Sequence, residues 1–65
     1  MPDTTLLLSD LDGRIALVRS NISELLAQAT GASGAAAEEA IAKRLNEQQD
    51  LLNELLKKRQ GLTDD

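Results

Sequence analysis

The chain has no cysteine, no histidine, no aromatic side chain of any kind and a single proline. Without cysteine there is no disulfide, no thiolate nucleophile and no zinc-thiolate site. Without histidine the commonest metal ligand and general base is missing. Carboxylates remain as oxygen ligands for hard cations, but none falls in a calcium-loop pattern. The expectation is a non-enzyme, with no catalytic residue, no cofactor, no metal site and no small-molecule substrate. The missing rings also remove the platforms on which unpaired bases stack, and a net charge of -4 opposes attraction to phosphate, so nucleic acid is a disfavoured partner. Apolar runs such as Leu6 to Leu8 and Ala35 to Ala37 fall far short of the roughly 20 residues of a membrane span. Met1-Pro2-Asp3 carries no basic leader segment. A location in the cytoplasm, or within an assembly formed there, is expected.

What is present is helical periodicity. Leu8, Leu11, Ile15, Val18, Ile22, Leu25 and Ala29 recur at alternating steps of three and four, which lays them along one seam of a helix built to pack on another. In a heptad frame the a positions are Leu8, Ile15, Ile22 and Ala29, and the d positions Leu11, Val18 and Leu25. Leu7 and Leu26 widen the seam, and Gly13 lies opposite it. Leu17 also points away, which a hairpin of two helices does not explain. A second stripe, Ile41, Leu45, Leu52 and Leu55, follows the break Thr30-Gly31-Ala32-Ser33-Gly34. The prediction is all-α: one domain spanning residues 1–65, with helix 1 at about 5–29, a loop at about 30–34, helix 2 at about 35–60 and a frayed tail at 61–65.

The end signals are several. Thr4 or Thr5 is suited to cap helix 1, and Ser9 followed by Asp10 and Asp12 also resembles a capped start, so the start is placed between Thr4 and Ser9. Gly31 is expected to close helix 1 in a left-handed conformation, and Ser33 or Gly34 to open helix 2 ahead of Glu38 and Glu39. Ala35, Ala36, Ala37, Ala40 and Ala42 favour helix and close approach near the loop. Gly61 is expected to end helix 2, with Lys57, Lys58 and Arg59 at its negative end and Leu62 folding back on Leu55 or Leu56. Glu39 with Lys43, Lys43 with Glu47 and Glu54 with Lys58 stand at ion-pair spacing.

Sixty-five residues are few for one core, and two helices alone expose part of the arc formed by Leu51, Leu52, Leu55 and Leu56. The expected remedy is association: an antiparallel two-helix hairpin that self-associates into a four-helix or larger bundle. The predicted interface comprises Leu8, Leu11, Ile15, Val18, Ile22, Leu25, Ile41, Leu45, Gln48, Leu51, Leu52, Leu55 and Leu56. Folding back at Gly31 to Gly34 sets Leu25 opposite Ile41, Val18 opposite Gln48 and Leu11 opposite Leu55. Gln48 then enters the apolar stripe, either fixing register through a hydrogen bond or turning to the wet rim.

Lys57, Lys58 and Arg59 form the only basic cluster, suited to a helix end or to phosphate. Arg14 and Arg19 flank the seam, where ion pairs with Glu47, Glu54 or a partner would fix pairing. These five cations are the candidate nucleic-acid contacts. Asn46, Gln48, Gln49 and Asn53 make an amide-rich face beside the seam. In layout the chain resembles the Rop family, short antiparallel hairpins that dimerise into four-helix bundles and bind paired RNA loops, though it lacks the aromatic and cysteine residues of that family. It is also similar in length and layout to small helical-hairpin proteins encoded among phage head and tail genes. The expected function is that of a structural or interaction protein whose partner is itself or another helical protein, for example a phage-type or operon-encoded accessory component. The alternative is a Rop-like RNA-binding regulator.

Overall fold

The computed structural model describes residues 3–63 and folds them into two long helices, α1 (Thr4–Gly31) and α2 (Ala35–Thr63), joined by Ala32, Ser33 and Gly34. They lie against each other in a rod 51 × 14 × 14 Å. Asp12 meets Arg59 and Asn21 meets Gln48, so the two helices run antiparallel.

Asp3, ahead of the expected caps, opens α1. Its Oδ1 accepts the Thr5 N–H at 2.9 Å, and its carbonyl accepts the Leu7 N–H at 3.1 Å. Neither Thr4, Thr5 nor Ser9 is the cap. A short carboxylate at Asp3 satisfies the first free amides, and the helix therefore starts before Leu6. Asp10 and Asp12 consequently lie beyond the first turn, which contains no acid.

Both glycine stops need correction. Gly31 is the last helical residue of α1, and Ala32 ends the helix in an extended conformation (φ -76°, ψ 139°), donating its N–H to the Ala29 carbonyl at 3.3 Å. The left-handed turn falls on Gly34 instead (φ 102°), whose carbonyl accepts the Glu38 N–H at 3.1 Å and begins α2. Gly61 does not end α2, which continues to Thr63. The Thr63 hydroxyl donates to the carbonyls of Arg59 and Gln60 at 3.3 and 3.2 Å, which satisfies acceptors the helix end leaves free. One helical glycine costs only about 1 kcal/mol, too little to stop a helix whose stripe continues to Leu62. The Lys57 to Arg59 cluster accordingly stands before the last turn, where there is no basic residue. Of the tail, Asp64 and Asp65 lie outside the described residues.

At Gly34 the positive φ disfavours any side chain although the space around it is open. Gly34→Ala is expected to lower stability by roughly 1–2 kcal/mol, read from the denaturant midpoint.

Ile15, Val18, Leu52 and Leu55 are buried and form the core, with half-buried Leu11 and Ile22 packed against them. Leu25 is buried nearer the loop. There the seam thins: Ala29 is exposed, Ile41 half-buried, and the alanines of the first two turns of α2 face solvent.

The register differs from expectation by about one turn. Gln48 pairs with Asn21, not with Val18, and Val18 shares a cluster with Leu52 and Leu55. The reason lies in side-chain direction. Helical side chains lean toward their own N-terminus, so in an antiparallel pair those of α1 tilt away from the loop and those of α2 toward it. Tips meet at the same level only when both residue numbers are higher than their backbone levels suggest.

Candidate interaction surface

Of the predicted interface residues, most are used inside the single chain. Ile15, Val18, Leu25, Leu52 and Leu55 are buried, and Leu8, Leu11, Ile22, Ile41, Leu45 and Gln48 are half-buried along the seam. The remaining two, Leu51 and Leu56, stand on its flanks at 40% and 36% exposure. At 100° per residue they project to opposite sides of the hairpin, because each lies one step outside the pair Leu52 and Leu55. Leu6, Leu7, Leu17 and Leu26 are exposed as well. Among the described residues five apolar side chains are thus buried and six large ones exposed, a poor ratio for a chain meant to stand alone.

Two clasps join the helices beside the core. The Arg59 Nε donates to Asp12 Oδ1 at 2.6 Å, and that carboxylate raises the guanidinium pKa, first through the hydrogen bond and then through Coulomb attraction. The Asn21 Nδ2 donates to Gln48 Oε1 at 3.3 Å, half-buried in the seam. Gln48 therefore takes the role of a polar seam residue with a partner across the interface. Asn21 was not singled out by sequence, since the expected register put Val18 there; its one signal is its position flanking the seam, seven residues after Arg14. Replacing both amides by leucine, Asn21→Leu with Gln48→Leu, is expected to raise stability by about 1 kcal/mol in a denaturant titration, because neither polar group is left unpaired.

Of the five candidate cations, Arg14 and Lys58 border one groove at the open end. Arg14 pairs with Asp10 of its own helix at 3.2 Å, not with α2, and Arg59 is held by Asp12. These are the ion pairs among the described residues; Glu39 with Lys43, Lys43 with Glu47, Glu54 with Lys58 and any pair at Arg19 do not close. Solvent competes for exposed pairs of this kind, and the entropy of two long side chains opposes them.

Two shallow grooves run between the helices. The one nearer the loop, about 220 Å³, lies over Leu25 and is walled by Asn21, Glu24, Gln28, Arg44, Glu47 and Gln48. The one at the open end, about 340 Å³, is lined by Leu7, Leu11 and Leu62 with Asp10, Arg14 and Lys58 at its edge. Leu62 thus closes this end instead of folding back on its own helix. No polar side-chain atom among the described residues is buried without a hydrogen-bond partner. No group of three or more acidic side chains among them is placed to hold a metal ion. No described helix is long and apolar enough to cross a membrane. What this surface offers chemically is contact: leucine, amide and charge on a rigid rod. No protein-family model matches the chain, and neither a curated protein nor a solved structure is significantly similar to it.

Proposed function

We propose that this chain is a non-enzymatic interaction module, a helical hairpin that self-associates into a four-helix or larger bundle and so holds an assembly together. Its support is a single observation: among the described residues, six large apolar side chains stay exposed and only five are buried. A second hairpin is the simplest cover, because it brings an apolar flank of the same composition and length. Partners are the chain itself or another helical protein with a matching stripe. The RNA-binding alternative draws less support from the geometry, since Arg14 and Arg59 are already neutralised by Asp10 and Asp12. Sedimentation equilibrium at micromolar concentration tests the proposal. A mass of two or more chains is expected; a monomer that unfolds cooperatively would remove its basis.

A further inference from the structure

We infer that a second copy of this chain docks end for end on the face that carries Leu17 and Leu51. The inference rests on the self-association proposed above and specifies its geometry. Residues 7, 14, 21 and 28 form one row along α1, and residues 44, 51 and 58 form one row along α2, each row stepping by seven. Both grooves are walled by members of these rows, so the rows border the same face of the hairpin. Leu51 sits between Arg44 and Lys58 in its row. Leu17 lies one turn from both Arg14 and Asn21, at the outer edge of that face, and is 63% exposed. Leu26 and Leu56 belong to the opposite face, seven residues after Arg19 and Gln49 in the rows that contain Asp12 and Ala42.

Charge then selects the arrangement. The groove at the open end carries Arg14 and Lys58 against Asp10, a net positive edge, whereas the groove near the loop carries Glu24 and Glu47 against Arg44, a net negative one. A two-fold axis across the middle of the face turns one copy end for end and lays α1 on α1 and α2 on α2. Arg14 then reaches Glu24 of the second copy, and Lys58 reaches Glu47 of the second copy, each pair occurring twice by symmetry. One axis must serve both helices. The midpoint of Arg14 and Glu24 is position 19, and that of Glu47 and Lys58 falls between Leu52 and Asn53. The clasps at Asp12 with Arg59 and Asn21 with Gln48 put these two levels within about two residues, on the order of 3 Å along the rod, a gap long side chains span. Leu17 and Leu51 lie close to that axis, so each approaches its own copy and forms the apolar centre of the contact. Arg14 keeps Asp10 at 3.2 Å within its chain and would sit between two carboxylates. A parallel arrangement sets grooves of the same net charge against each other, net positive on net positive and net negative on net negative. The face, 51 Å long and 14 Å wide, is of the size that supplies a standard interface of about 800 Å² per partner.

Lys58→Glu and Glu47→Lys, prepared separately and then mixed, test the geometry. In either variant alone both copies of one pair become repulsive, and dimerisation at low salt is expected to weaken about tenfold. In the mixed dimer one pair is swapped and the other is wild type, so an equimolar mixture is expected to recover the wild-type dimer as a heterodimer, measured by sedimentation with one variant labelled. Leu26→Asp, on the other face, is expected to leave the dimer intact. If wild type dimerises but the variants associate as strongly alone as mixed, or Leu26→Asp abolishes the dimer while the mixture shows no recovery, the assignment of the face is overturned and self-association stands. If wild type is monomeric, self-association itself fails.

Discussion

Leu55→Asp is expected to abolish the helical signal in circular dichroism at every concentration tested, whereas the same change at Leu26 leaves it in place. Leu55 is 5% exposed at the centre of the cluster with Ile15, Val18 and Leu52; Leu26 is 55% exposed. The substitution removes the burial of a leucine, about 1.5–3 kcal/mol, and leaves a carboxylate in an apolar site, which costs several more. A chain of this size has a margin of only about 3–5 kcal/mol, so the loss exceeds the whole stability. Each apolar layer of a two-helix seam has few neighbours to take up a defect. Leu52→Asp should act in the same way, since Leu52 is 8% exposed in the same layer. Because the proposed assembly needs the folded hairpin, the variant is expected to sediment as an unfolded monomer. A folded Leu55→Asp hairpin would mean that the cluster is not the core.

Glycine gives the second large effect, with opposite sign. Gly13 and Gly61 are helical, neither has positive φ, and a Cβ at either would meet nothing within 4 Å. Alanine there keeps every contact and removes the backbone freedom that glycine brings to the unfolded chain. Gly13→Ala is expected to add about 1 kcal/mol, and Gly61→Ala somewhat less, because α2 ends two residues later. Together they should raise the melting temperature by roughly 5–12 °C in a chain of this length. Gly34→Ala, the same chemical change, goes the other way because of its φ of 102°. A double variant that melts lower than wild type would show that Gly13 or Gly61 is needed for an approach by a neighbouring chain.

The seam itself is legible in the residues. Ile15, Val18, Leu25, Leu52 and Leu55, all predicted on the apolar stripes, are the buried side chains among the described residues. Leu17, out of place on a hairpin, is exposed as its phase requires. Periodicity carries that much because burial in a helix pair depends on angle around the axis, and angle follows from spacing alone. It carries less about position along the axis. Spacing brings Gln48 to the stripe and leaves open whether it pairs or turns to the rim, and its partner Asn21 is not legible, since an antiparallel register depends on where the turn closes and on which way side chains lean. Helix ends are harder still. Asp3 wins the start from Thr4, Thr5 and Ser9 by a difference between good caps, and Gly31 and Gly61 are carried inside helices because the residues around them continue the helix. Arg59 reads as part of a basic cluster at the helix end and is clasped by Asp12, a pairing that no single helix reveals. The exposed flanks at Leu17, Leu26, Leu51 and Leu56 are visible in both sequence and structure, and dependence on a second copy is the proposal they support.

Thermal unfolding of the wild-type chain, followed by circular dichroism over a hundredfold range of protein concentration, tests that dependence most directly. Because a second copy that binds only the folded hairpin stabilises it by mass action, the proposal predicts that the transition midpoint climbs steadily with concentration. A sharp transition at the same temperature throughout the range would show that the hairpin is stable by itself, and would contradict the account.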